Sequence, residues 1–149
     1  MITKLGKKKL EEQIKKLEKE LDEVLEKRGK AAEEGDLKEN SAYIFFGERA
    51  QVLMSQIDQA NKDFREAIVQ EAPKQNKIVA FGHQVTIRFE DDKKELTFTL
   101  VGKNDSSLQK DWISCQSPMG IALLGKKKLD QVTVNGRQVT ILDITSANI

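Results

Sequence analysis

The stretch Ala31-Ala32-Glu33-Glu34-Gly35-Asp36-Leu37-Lys38-Glu39-Asn40-Ser41-Ala42-Tyr43 interrupts two apolar series of the same period. Before it, Leu10, Ile14, Leu17, Leu21 and Val24 are spaced 4, 3, 4, 3, and Arg28 and Ala31 continue the spacing. After it, Tyr43, Phe46, Ala50, Leu53, Ile57, Ala60, Phe64 and Ala67 are spaced 3, 4, 3, 4, 3, 4, 3. That is the period of a helix packing along one partner. Two matched series with a short break between them predict an antiparallel helical hairpin. Arms of about 30 residues at roughly 1.5 Å each would run about 45 Å. Gly35 suits the end of the first helix. Asp36 can cap the second, with Glu39 at capping-box spacing.

Further along, the chain changes character. Residues 4–72 contain no proline and are rich in Lys, Glu, Leu, Gln and Ala. Pro73 is expected to stop the second helix and open a short linker, 73–77. Residues 78–149 read in short strand-like runs: Ile78-Val79-Ala80-Phe81, then Val85, Ile87 and Phe89, then Leu96, Phe98 and Leu100, then Trp112-Ile113-Ser114-Cys115. Pro118 through Leu124 reads as a short helix ended by Gly125. Asn135-Gly136 lies between two alternating runs, the strongest short hairpin signal. The expected class is α+β: a coiled-coil hairpin over 1–72 with its acidic tip at 35–40, a linker over 73–77, and a small antiparallel-sheet domain over 78–149.

Composition narrows the function classes. Among 149 residues, 33% are charged and 5% aromatic, which suits solvated helix and thin cores. Twenty-five basic and 24 acidic residues leave a net charge of +1, unlike a general nucleic-acid coat. The lysines at 7, 8, 9, 15, 16 and 19 make the start locally basic, as a solvated helix face would. The single cysteine, Cys115, excludes an internal disulfide and reads as a small core residue. Trp112 reads as core and His83 as a surface or turn residue. No 18-residue apolar run and no signal-peptide pattern occurs, so a cytoplasmic location without membrane association is expected. No phosphate loop, triad or zinc spacing is found, and nothing suggests an independent enzyme.

The acids are the candidate site. A capping box alone would account for Asp36 and Glu39. Their place at the end of a long hairpin also lets them deliver negative charge to a distant partner. Carboxylates bind hard cations such as Mg²⁺, but two of them cannot form a cage. They could complete a site whose other half another protein supplies. Ile44 and Phe45 fall off the seam and would expose apolar surface beside the tip, a pattern of partner contact.

The loop Gly35-Asp36-Leu37-Lys38-Glu39-Asn40 resembles that of the Gre family of bacterial transcript cleavage factors. Leu5-Gly6 with Leu10, Tyr43, Val101-Gly102, Ile113-Ser114, Ser117-Pro118 and Leu124-Gly125-Lys126 extend the likeness over nearly the whole chain, nearer to the GreA branch. The resemblance implies a coiled coil that enters the secondary channel of RNA polymerase. It implies that Asp36 and Glu39 act there on a Mg²⁺ shared with the polymerase, with no cofactor of the chain's own. The polymerase then cleaves its backtracked RNA at the 3′ end, so the RNA is an indirect partner. Leu37, Lys38, Asn40, Tyr43, Ile44 and Phe45 become candidate polymerase contacts, and a monomer is expected. The C-terminal half resembles the family's FKBP-like domain, a docking module on the channel rim. The chain departs from the family pattern in three places: Ser41-Ala42-Tyr43 replaces Ala-Glu-Tyr, Gly47 stands where an Arg is common, and Ile44-Phe45-Phe46 is more apolar than usual. They motivate a second reading, a channel binder that modulates polymerase without promoting cleavage. A prolyl isomerase and a plain coiled-coil scaffold complete the alternatives.

Overall fold

The computed structural model describes residues 1–35 and 40–149. Helix α1 spans Lys4–Ala32 and α2 spans Ser41–Glu66. Strands β1 (His83–Phe89), β2 (Glu95–Val101) and β3 (Trp112–Ser114) precede a short helix α3 (Pro118–Leu123), and β4 (Gln131–Val134) and β5 (Arg137–Ser146) follow it. The α+β class holds. The chain divides into two compact units, Lys8–Ala67 and a second that combines Met1–Lys7 with Ile68–Ile149.

The unit Lys8–Ala67 is the helical hairpin. Its seam is the one the spacing predicts: Leu10, Ile14, Val24 and Ala31 of α1 and Ala50, Leu53, Ile57 and Ala60 of α2 are buried. Leu17, Leu21 and Phe46 pack against the Val24–Ala50–Leu53 cluster. The polar pair Arg49–Glu20, at 2.6 Å, crosses between the helices and sets the same antiparallel register. With one layer of side chains on each side, the burial is thin. Each large seam residue contributes on the order of 1.5–3 kcal/mol of transfer energy.

The other unit is built on a five-stranded sheet in the order β3-β2-β1-β5-β4. β1 pairs antiparallel with β2 and β5, and β4 with β5. Asn135 (φ +50°) and Gly136 (φ +79°) both take positive φ between the paired Val134 and Arg137, the two-residue turn that their sequence predicts. The expected all-antiparallel sheet is corrected at one edge: β3 pairs parallel with β2, Thr99 opposite Trp112. Segment 102–111 carries the chain back before β3 begins, which a tight hairpin could not do. Val85, Ile87, Leu100, Leu123, Val139 and Ile141 form a fully buried core under α3. Trp112 is buried as expected. Cys115 is half-buried, and burial pushes its thiol pKa up, which suits an inert core thiol.

Three further expectations change. Ile78-Val79-Ala80-Phe81 forms no strand, only a bridge from Ile78 to Lys127, although Val79 and Phe81 are buried. Their apolar run reflects burial without a ladder. His83 is fully buried rather than exposed: the Ala80 amide donates to Nδ1 at 2.9 Å, so Nε2 carries the proton and donates to the Gln75 carbonyl at 2.7 Å. The hairpin also ends earlier than expected, at Glu66 rather than against Pro73.

The boundary moves because the first residues of the chain pair with 68–70. Ile2 N–H donates to the Ile68 carbonyl and Gln70 N–H to the Ile2 carbonyl. Asp105, fully buried, locks this segment. Its carboxylate accepts from Thr3 N (3.0 Å), Thr3 Oγ1 (2.8 Å) and Gly102 N (3.1 Å). Thr3 Oγ1 in turn accepts from Gly6 N at 2.9 Å, capping α1. A Cβ on Gly6 would come within 1.7 Å of Asp105 Oδ1, so only glycine fits. Asp105→Ala would strand three buried donors, each costing about 1–3 kcal/mol, and should destabilise by at least about 3 kcal/mol. Asp105→Asn, which retains one acceptor oxygen, should cost less than half of that. Urea denaturation followed by Trp112 fluorescence measures both.

The β1–β2 turn is held electrostatically. Arg137 binds both oxygens of Asp91 at 2.8 Å and lies 3.9 Å over the Phe89 ring. Its bond to Asp91 holds that carboxyl down at about 2 from 3.8. The Lys93 ammonium first, then the Thr140 hydroxyl and Arg88, bring Glu90 to about 2 from 4.5. Folded pKa values below the unfolded ones mean that this stability is present above about 4.5 and is lost as pH falls toward about 2. Arg137→Met should flatten part of that acid limb and leave stability unaffected by pH between 5 and 8, read from denaturation midpoints along a pH series.

Candidate functional site

Of the residues singled out from sequence, Asp36, Leu37, Lys38 and Glu39 lie outside the described residues. Their flanks are defined. α1 ends at Ala32, and Gly35 has φ +150°, a positive value that L side chains disfavour. α2 starts at Ser41, and its cap is Asn40 rather than Asp36. The Asn40 Oδ1 accepts from Tyr43 N at 3.1 Å. The same side chain donates from Nδ2 to the Ala31 carbonyl at 2.5 Å. One asparagine therefore fastens the last turn of α1 to the first turn of α2. The expected cap from Asp36 is thereby corrected: α2 takes its cap from Asn40.

Tyr43 is half-buried. Its hydroxyl accepts from Arg28 Nη2 at 3.0 Å, and the Arg28 carbon Cζ stands 4.4 Å from the ring centroid. Sequence reasoning placed Arg28 only on the seam, and its role went unread. The available signal was an arginine at a seam position opposite a helix glycine. Ile44 and Phe45 are 45% and 61% exposed, as their position off the seam predicts, and Phe45 meets the half-buried Phe46 edge to face at 5.4 Å. Two large apolar side chains thus face outward within the first two turns of α2. No acid stands in its first turn, where Ser41 and Ala42 are exposed.

Among the described residues no cluster of three or more His, Cys, Asp or Glu could hold a metal.

Two family models match the chain. "Transcription elongation factor, N-terminal" covers residues 1–69, and "Transcription elongation factor, GreA/GreB, C-term" covers 74–146. The chain belongs to the GreA/GreB family of transcription elongation factors. A Transcription elongation factor GreA from Maridesulfovibrio salexigens is 36% identical over 135 residues, 90% of this chain and 84% of that protein. A GreA from Chloroflexus aurantiacus is 34% identical over 137 residues, 90% of this chain and 87% of that one. Among solved structures, the GreA factor homolog 1 (Gfh1) protein of Thermus thermophilus aligns over 97% of both chains at 21% identity and a TM-score of 0.45. The two GreA/GreB matches together take in both units, including the Asp105 lock and the Asn40 cap.

Asn40→Ala should remove both the cap and the tie to Ala31, lowering hairpin stability by about 1–2 kcal/mol. Asn40→Ser, which keeps an acceptor oxygen, should recover about half. Thermal unfolding at 222 nm, where the two long helices dominate, reads the difference.

Proposed function

We propose that this elongation factor binds bacterial RNA polymerase in the cytoplasm, inserts its hairpin into the secondary channel and stimulates the polymerase to cleave its own backtracked RNA. The observation that carries the reading is the pair Asp36 and Glu39. They stand in the connection between two seam-packed helices of a GreA/GreB chain, with the second helix capped independently by Asn40. The chain is an accessory factor and carries no complete active site of its own.

The donor set fits a shared Mg²⁺. Two hard oxygen donors, without nitrogen or sulfur ligands beside them, suit a cation that keeps several waters and takes only one or two protein carboxylates. When bound, that cation supplies charge neutralisation at the scissile phosphate and a more acidic attacking water. The chain's own residues have narrower tasks. Asp36 and Glu39 hold negative charge at the reacting centre and orient the water as hydrogen-bond acceptors. Asn40 holds both helices at the base of the connection. Leu37, Lys38, Tyr43, Ile44 and Phe45 are the proposed polymerase contacts, with the exposed Ile44 and Phe45 supplying apolar area.

A second reading is favoured by one observation, the absence of an acid from the first turn of α2. There the chain would occupy the channel and modulate polymerase without promoting cleavage. RNA shortening in a stalled, backtracked elongation complex, at Mg²⁺ levels where polymerase alone is slow, separates the two. The wild-type chain should shorten the RNA, and Asp36→Asn and Glu39→Gln should bind while losing at least tenfold in rate. Binding by the wild type without faster cleavage would give the second reading.

A further inference from the structure

Arg28 is out of place by the rules that govern the rest of the hairpin. It continues the seam spacing between Val24 and Ala31, where an apolar side chain would pack without cost. Its Nε is buried and has no hydrogen-bond partner among the described residues, an unsatisfied donor on a charged group. Gly47 is out of place as well. It lies inside the 26-residue helix α2, where glycine is the poorest residue after proline. One contact accounts for both. A Cβ on residue 47 would stand 3.3 Å from Arg28 Nε, tighter than most such contacts, and 3.4 Å from Cζ and Nη2, at the limit of ordinary van der Waals contact, so the guanidinium would have to shift by a few tenths of an ångström. The missing side chain leaves the space beside which the guanidinium lies over the Tyr43 ring, Cζ 4.4 Å from its centroid.

The bracket has a definite position. Arg28 comes from α1 and Tyr43 from α2, so their contact ties the helices. Tyr43 N–H is also the donor that Asn40 Oδ1 accepts, and Asn40 Nδ2 reaches the Ala31 carbonyl. Arg28, Tyr43, Asn40 and Ala31 therefore form one chain of contacts across the hairpin beside segment 36–39. Departures from local stability rules concentrate where function requires a fixed geometry, and a reactive group needs supporting residues that lock its neighbours.

We propose that Arg28 is a positioning residue, which with Tyr43 and the space left by Gly47 holds the end of α1 against the first turn of α2, the two flanks between which the acids lie in the sequence. This rests on the proposed cleavage function. A stability element alone would be replaceable by methionine, whereas a positioning element needs the planar cation on the ring.

Tyr43 is the only tyrosine, so 3-fluorotyrosine labelling gives a single ¹⁹F resonance at the bracket. Arg28→Met should move that resonance. It should also lower the cleavage rate at saturating factor at least fivefold, with the half-saturating concentration changed less than twofold. Arg28→Ala combined with Gly47→Arg supplies the guanidinium from four residues along α2, on the same helix face as Tyr43. An open groove of about 380 Å³ lined by Arg28, Tyr43, Ile44, Gly47 and Met54 leaves room for it. This double variant should restore both rate and resonance. Arg28→Lys covers the case in which the methionine variant does not fold, and should show the same loss of rate. An unmoved resonance in Arg28→Met, full activity of Arg28→Lys, a defect confined to binding, or failure of the double variant to regain rate would each overturn the proposal. A wild-type chain that binds polymerase without speeding cleavage would overturn the function reading instead. The fluorine resonance, read without polymerase, would then still uphold or overturn the bracket.

Discussion

A two-helix hairpin has a single seam, and everything it presents at its connection depends on that seam staying in register. Here Val24, Ala50 and Leu53 form its buried centre, with Leu17, Leu21 and Phe46 against them. Small residues at 31, 50 and 60 let the helices approach, and Leu53 is fully enclosed. A slip of one seam step would remove Arg28 from Tyr43, Asn40 from Ala31 and Glu20 from Arg49 together. The polar contacts therefore specify register more than they add stability, since surface-accessible pairs contribute little on their own. For a factor proposed to work by placing two carboxylates, register is the property that matters.

The sheet unit solves a different problem, how to fasten the start of a long helix. A buried carboxylate costs much unless its oxygens are satisfied, and Asp105 accepts three bonds from Thr3 and Gly102. Thr3 then caps α1 through Gly6. The first turn of α1 is thus held by the sheet unit, while the rest of the helix belongs to the hairpin. The close approach at Gly6 leaves no tolerance for a side chain.

Much of this was legible in the sequence, and the failures share a cause. The seam, the Asn135-Gly136 turn, the short helix at Pro118 and the exposed Ile44 and Phe45 all follow from short-range periodicity or turn chemistry. The misreadings come from contacts between residues far apart in the chain. Met1–Lys7 carries no heptad signal, and its pairing with 68–70 and with Asp105 cannot be seen locally. Parallel pairing of β3 depends on the path of 102–111. His83 looks like a turn residue until Gln75 and Ala80 close over both ring nitrogens. The cap assignment failed differently: Asp36 and Asn40 are both good caps, and the helix start at Ser41 decides for Asn40. Arg28 and Gly47 were each visible, but only their proximity gives them meaning.

The chemistry proposed for Asp36 and Glu39 has a thermodynamic consequence that binding alone does not. Two carboxylates that complete a cation site lower the metal concentration at which the site fills, whereas a channel binder that merely reshapes the polymerase need not. The most direct measurement is therefore the Mg²⁺ dependence of RNA cleavage in a backtracked complex, with the chain absent and at saturation. The account predicts that the chain shifts half-saturation to lower Mg²⁺ and that Asp36→Asn abolishes the shift. Faster cleavage with an unchanged Mg²⁺ midpoint would contradict it.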